Sequence, residues 1–436
     1  MTATTATATL SQGMTTNSAA HDSVAASESS PVDSGAAGTT LSRRGLLGSV
    51  AAGAGVAALG AVAGAGVTRA TNHSEVAAAL NSTKTGTDVI SCHGTQQAGV
   101  TTPATSHLRA LAFMLRPEVQ REDLQRLMRL LTADIEALTS GAAPVADSEP
   151  HLALVPARLT ITVAVGAEFV ARVNPAAVPE WLGPLPAFKK DRLAPEFNDG
   201  DLLLQITADD QVTVSHAARV LTRTVRSFTT PHWIQDGFRR TRGSEPDGTT
   251  MRNLMGQVDG SFNPEPTDPD FSSLVWLDAS AGWLAGGTCQ VLRRIRMELD
   301  TWDEVDRPGR EATIGRTLAT GAPLTGGSEK DPGDFSAVNE LKLPVIHAAA
   351  HIRRAHSTDP TERIFRRSYN YDAGSEQGLL FMCYQRDPRK QFIPIQQRLD
   401  DLDMLNQWVT HTGSAVFAVL PGWQPGGILA QTLFEL

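Results

Sequence analysis

The sequence predicts an α+β protein of two similar halves, each an antiparallel sheet with helices on one face. Three observations carry this. Between residues 107 and 225 the pattern runs strand, helix, strand, strand, helix. The rhythm recurs between 274 and 420. The chain also has 436 residues, 41% of them hydrophobic and 19% charged, enough for two cores at roughly 100–200 residues per domain.

The elements follow in order. Residues 108–115 form an apolar strand that Pro117 ends. A helix over 121–138 carries Leu124, Leu127, Met128, Leu130, Leu131, Ile135 and Leu138 as one stripe, opened by Glu122 and Asp123 and closed by Gly141. Strands follow at 159–165 and 201–207, then a helix at 214–225. After a join near 226–265, strands are predicted at 274–276 and 288–297 and a helix at 302–314 ending at Gly315. A strand at 378–385, a helix at 402–410 and a last strand at 415–420, stopped by Pro421-Gly422, complete the chain. The halves fall at 107–240 and 241–436, without a convincing internal sequence repeat.

The first seventy residues are not part of this fold. No aromatic residue precedes Phe113, and residues 1–40 are mostly Ala, Thr, Ser and Gly, which bury too little surface to offset chain entropy. Arg43-Arg44 then precedes an uncharged run to Val67, the pattern of a twin-arginine export signal. A membrane anchor is the competing reading, but the run is Gly/Ala-rich with only three Leu. Cleavage between Ala63 and Ala70 is expected, leaving no stable membrane span and an extracellular, cell-wall or periplasmic protein. Residues 71–106 read as loop.

The net charge of −9 argues against a general nucleic-acid binder, which needs a basic surface. Three cysteines, Cys92, Cys289 and Cys383, cannot make a disulfide scaffold.

Three clusters in the second half could carry chemistry. In Gly256-Gln257-Val258-Asp259-Gly260, glycines flank a carboxylate, a tight backbone able to hold Asp259 near a bulky ligand, or simply a turn. His347 and His351 have i,i+4 spacing. On a helix they could share a metal, one of them could ligate a planar cofactor past Ala348-Ala349-Ala350, or both could be ordinary surface residues. Arg363 to Asp372 interleaves basic and aromatic residues, as an amphipathic strand would.

Taken in order, these clusters resemble the dye-decolorising (DyP-type) peroxidase family of haem proteins. Gly256-Gln257-Val258-Asp259-Gly260 resembles its Gly-x-x-Asp-Gly signature. Ala350-His351-Ile352-Arg353 resembles the segment of its proximal histidine, and Arg366-Arg367-Ser368-Tyr369 that of its distal arginine. Supporting segments run from Gly94-Thr95-Gln96-Gln97 to Gly413-Ser414-Ala415-Val416, about residues 90–425. Ser261 stands where Thr is common and Gln96 where His is frequent.

The resemblance implies two ferredoxin-like halves with one haem b in the C-terminal half. It implies His351 as axial iron ligand, with Asp401 or Asp403 as partner of its other nitrogen. It also implies Asp259 as proton shuttle, Arg366 as the cation stabilising charge as the O–O bond breaks, with Arg367 as fallback, and Arg353 against a haem propionate. The expected activity is reduction of hydrogen peroxide with oxidation of phenolic or dye-like aromatic donors through a ferryl porphyrin-radical intermediate. Tyr369, Tyr371, Tyr384 and Trp408 are either electron relays or core packing. Cys289 and Cys383 are expected to be inert. The alternative purpose is iron acquisition, as iron release from haem or as companion to an iron transporter; a haem carrier without turnover is a third reading. Oligomeric state stays open, a homo-oligomer included.

Overall fold

The computed structural model describes residues 86–436, so the export-signal expectation lies outside the described residues. The first half contains β1 (His107–Leu115), α1 (Arg121–Thr139), β2 (Thr160–Val165), α2 (Ala167–Val173), β3 (Leu202–Ala208), α3 (Gln211–Val225) and β4 (Thr229–Phe238). The second contains α4 (Phe271–Val275), β5 (Thr288–Met297), α5 (Leu299–Asp303), α6 (Arg307–Ile314), α7 (His351–Ala355), β6 (Phe365–Arg366), β7 (Tyr369–Asp372), β8 (Gln377–Gln385), α8 (Phe392–Leu402), β9 (Val409–Val419) and α9 (Gln431–Phe434).

The strand order is β5-β9-β2-β3-β1-β4-β7-β8-β6, and an additional β5–β8 pairing closes the sheet on itself. Each half thus has the βαββαβ order of a ferredoxin-like unit: β2-β3-β1-β4 in the first, and β9-β5-β8 followed by β7 and β6 in the second. The seams between halves are thin. Two residue pairs join β2 to β9, and one, Phe238↔Asn370, joins β4 to β7. The inner faces supply a shared core with Leu108, Trp233, Leu292, Tyr384 and Phe417.

α1 begins where predicted. Asp123 Oδ2 accepts the Gln120 N–H at 3.0 Å. Leu130, at the edge of the stripe, is 44% exposed, whereas the other six of the seven stripe residues named above are at most 2% exposed. Each such side chain contributes about 1.5–3 kcal/mol on burial. In α3, Asp210 caps the Thr213 N–H at 2.8 Å.

Four expectations are corrected. Residues 274–276 are not a strand: Phe271, Leu274 and Val275 share the buried side of the single turn α4. The helix over 302–314 is two, because Asp306 caps a new one at the Gly309 N–H (2.9 Å) and Pro308 fits only its first turn. The helix at 402–410 lies upstream as α8. Pro394 sits in its first turn, where its missing N–H costs nothing. The join contains β4, whose Pro231 is absorbed by a register shift against β1 between Ala112 and Phe113. No described helix is long and apolar enough to cross a membrane.

Candidate active site

Asp259 and Arg366 meet although 107 residues separate them: Arg366 Nη1 donates to Asp259 Oδ1 at 3.4 Å. The second carboxylate oxygen accepts from Asn253 Nδ2 at 3.3 Å. Asn253 Oδ1 also accepts the Met255 and Gln257 N–H groups at 3.1 and 3.2 Å. One side chain therefore folds the loop and holds the carboxylate. Gly256 and Gly260 have φ of 80° and 128°, where a Cβ would be strained; the flanking glycines are a backbone requirement.

Strand alternation decides between the two arginines. β6 sends Phe365 into the shared core and Arg366 the other way, to Asp259. Arg367 is 8% exposed, and burial lowers its pKa, with the phenols of Tyr369 and Tyr384 acting in the opposite sense.

His351 opens α7. Its Nδ1 bonds Asp403 Oδ2 at 2.6 Å, which leaves Nε2 free of that contact. Asp403 Oδ1 accepts the Leu405 N–H at 2.9 Å, so the carboxylate is fixed in orientation. Asp401, the other candidate, pairs with Lys189 Nζ at 2.7 Å. Burial disfavours the charged imidazole, but the Asp403 carboxylate, by charge and hydrogen bond, and Asp259 more distantly, raise its pKa; Arg366 opposes them. The charges of Asp259 and Arg366 thus reach the His351 imidazole. About 31% of the His351 side chain is accessible, beside 26% of Arg366 and 19% of Asp259. Leu254, Ile352, Phe381 and Leu405, half-buried against a core of Met255, Trp302 and Leu379, supply apolar surface nearby.

A cavity of about 230 Å³ borders Asp259, Ser261, Asn263 and Arg366 and reaches the exposed Lys330–Glu265 ion pair. Among the described residues Ser261 Oγ is buried without a hydrogen-bond partner.

The shared histidine face is not realised. α7 starts at His351, and His347 lies on the preceding turn with its Nδ1 accepting the Ala349 N–H at 3.1 Å. The cluster of three metal-donor side chains found among the described residues, Asp147, Glu149 and His216, does not include it. Arg353 Nη1 donates to Ile346 O at 3.0 Å and its guanidinium stands 5.7 Å from the Phe335 ring. Tyr369, Tyr371 and Tyr384 are core residues, each at most 1% exposed, and burial pushes the Tyr384 phenol up to about 12. Trp408 is half-buried and edge-on to Trp302, with ring centroids 5.1 Å apart. Cys289 and Cys383 are fully buried, with thiol pKa values raised by burial.

Residues 97–239 match the family described as Dyp-type peroxidase, N-terminal, and residues 250–424 match Dyp-type peroxidase, C-terminal. The chain belongs to the DyP-type peroxidase family. It is similar to the dye-decolorizing peroxidase of Thermobifida fusca, 36% identical over 78% of this chain and 84% of that protein. It is also similar to the deferrochelatase of Escherichia coli K12, 33% identical over 76% of this chain and 83% of that one. The crystal structure of a DyP-type peroxidase from Cellulomonas bogoriensis superposes with a TM-score of 0.78 at 51% identity, covering 81% of this chain and 99% of that one. A peroxidase is an oxidoreductase, so hydrogen peroxide and a reductant are its two substrates.

Within this DyP-type peroxidase, two polar residues escaped the sequence reading. Asn253 and Asn263 flank the Gly256–Gly260 cluster on either side, but an asparagine in a Gly-rich segment signals a turn and carries no mark of what its amide will hold.

Proposed function

We propose that this DyP-type peroxidase reduces hydrogen peroxide on a haem b held by His351 and oxidises phenolic or dye-like donors. The observation that carries this is the Asp259–Arg366 pair lying close enough for its charges to act on the imidazole of the His351–Asp403 pair. The residues present fit haem: an imidazole whose Nε2 is left open by the Asp403 bond, apolar surface nearby, and a carboxylate and guanidinium whose charges reach it. Bound there, the haem iron supplies the redox centre that accepts the two oxidising equivalents of peroxide.

The rest is done by the chain. His351 would hold the iron through Nε2 while its Nδ1–H donates to Asp403, which keeps the ring oriented and increases its donation to the metal. Asp259 takes the proton from one peroxide oxygen and returns it to the other; Asn253 and Arg366 keep its two oxygens in place meanwhile. Arg366 stays cationic and stabilises the charge that develops as the O–O bond breaks. Arg353, with N–H groups beyond the one given to Ile346, would supply the cation for a propionate. Ser261 Oγ offers an incoming small polar molecule a hydrogen bond along the cavity. That cavity is too small for dyes, so large donors give up electrons at the surface, with Trp408 and the adjoining Trp302 as the route in.

The test is the absorption spectrum of haem-supplied protein before and after one equivalent of hydrogen peroxide. A prompt change of the Soret band supports the reading; a Soret band indifferent to peroxide, or none, overturns it. The resemblance to a deferrochelatase favours a second reading, iron release from haem. Free iron together with metal-free porphyrin in the absence of peroxide would establish that one. We place the protein outside the cytoplasm by twin-arginine export, which an N-terminus beginning between Ala63 and Ala70 in exported protein would support and an intact one would oppose.

A further inference from the structure

We infer that Asn263 is the positioning residue that holds Arg366 within reach of Asp259. The inference rests on the roles proposed above for Asp259 and Arg366. β6 has two residues and lies at the end of the strand order. It pairs with β8 on one side only, Phe365↔Tyr384 and Arg366↔Cys383. In antiparallel pairing, alternate residues turn their N–H and C=O groups away from the partner strand, and Arg366 is one of these. Its backbone would face an open edge.

Asn263 closes that edge. Its Oδ1 accepts the Arg366 N–H at 2.8 Å, and its Nδ2 donates to the Arg366 carbonyl at 3.1 Å. A carboxamide is a side chain with a donor and an acceptor side by side, so Asn263 does for Arg366 what a neighbouring strand would do. Its other end is tied to the carboxylate. Asn263 lies four residues after Asp259, its own N–H bonds Gly260 O at 3.1 Å, and Gly260 holds a φ of 128°. One tight turn therefore carries both Asp259 and the clamp on Arg366, which sets the 3.4 Å approach between them. Asn263 also borders the cavity that leads to this pair. It touches no reacting atom; it acts through Arg366.

The test uses haem-loaded protein and the variants Asn263→Ala, Asn263→Asp, Arg366→Leu and Asn263→Ala/Arg366→Leu. Two quantities are read: the second-order rate constant for the Soret change with hydrogen peroxide, and the affinity of the ferric protein for fluoride, an anion that depends on a distal hydrogen-bond donor. Asn263→Ala should slow the peroxide reaction about 10- to 100-fold and weaken fluoride by about tenfold, magnitudes typical of lost orienting contacts. Asn263→Asp keeps an acceptor for the Arg366 N–H and loses the donor, so it should fall between Asn263→Ala and the parent. The double variant should be no slower than Arg366→Leu alone, since an effect exerted through Arg366 vanishes with it.

If Arg366→Leu is slow and Asn263→Ala is not, or if the double variant loses the sum of both effects, the inference is overturned while the distal pair stands. If Arg366→Leu itself reacts at the parent rate, the proposed role of Arg366 fails first. Should Asn263→Ala not fold, Asn263→Asp decides alone: parental rate and fluoride affinity would overturn the inference.

Discussion

The two halves share one strand order and differ in what crosses their outer faces. In the first, the connection from β1 to β2 carries α1, nineteen residues long, whose apolar stripe is almost fully buried. In the second, the corresponding connection from β5 to β6 contains no comparable helix. It holds α5, α6 and α7, of five, eight and five residues, and the loops between them. The helical pair α1 and α3 packs the first half into a closed core, whereas His351, Asp259 and Arg366 of the second keep open surface. A ferredoxin-like unit can fill its face with a helix for stability or leave room there for a site. This chain does one in each half.

The largest expected effect breaks the site and spares the closed half. Asp259→Ala should slow the reaction with hydrogen peroxide by roughly 10²–10⁴-fold, the usual worth of a positioned proton carrier. Arg366→Leu should cost on the order of 10²–10³-fold. Stopped-flow spectra of the Soret band measure both, and thermal unfolding should change little. The converse substitution is Leu127→Ala in α1, at a residue with no exposed surface. It should cost about 2–5 kcal/mol in denaturant unfolding and leave the peroxide rate per folded molecule unaltered. If Leu127→Ala also slowed the chemistry, the division of labour between the halves would be wrong.

What could be read in the sequence follows the same division. α1 was legible to within a residue from its helical stripe, and β5 from a ten-residue run whose first seven positions are all buried. The second-half crossover was not. Its helices are too short to show a 3.6-residue period, and α7, like α4 before β5, is only five residues long. His351 and Asp259 were visible through their neighbours in sequence, but the choice of Asp403 over Asp401 depends on where α8 stops and the next turn begins. Only that geometry aims one carboxylate at the imidazole and leaves the other to Lys189. The Asn263 clamp was invisible because its partner is the backbone of a residue 103 positions away.

A smaller effect sharpens the comparison inside the site. Asp403→Ala removes the acceptor that orients His351 and helps raise its pKa against burial. Haem affinity should fall about 10- to 100-fold, measured by transfer of haem to an acceptor protein. Asp401→Ala, which breaks an exposed pair with Lys189, should leave affinity unchanged.

The last prediction concerns how the halves hold together. The long connection between β2 and β3 leaves its own half and runs along β9: the Arg192 and Ala194 N–H groups donate to His411 O and Thr412 O, each at 2.9 Å. Beneath this strap Arg293 pairs with Asp191 and donates Nε to His411 Nδ1 at 3.3 Å. Burial, then the Arg293 charge, push the His411 imidazole down to about 3 from its usual 6.5. Above pH 6.5 neither the folded nor the unfolded chain protonates this residue. As pH falls below 6.5 the unfolded chain takes up a proton that the folded one refuses. Stability therefore declines by up to about 1.4 kcal/mol per pH unit, levelling only near pH 3. His411→Asn offers Arg293 an oxygen acceptor but cannot titrate. Denaturant unfolding from pH 7 to pH 4 should show a shallower loss for His411→Asn, by about one proton in the slope. Equal slopes would mean that His411 titrates normally and that the strap does not seal it.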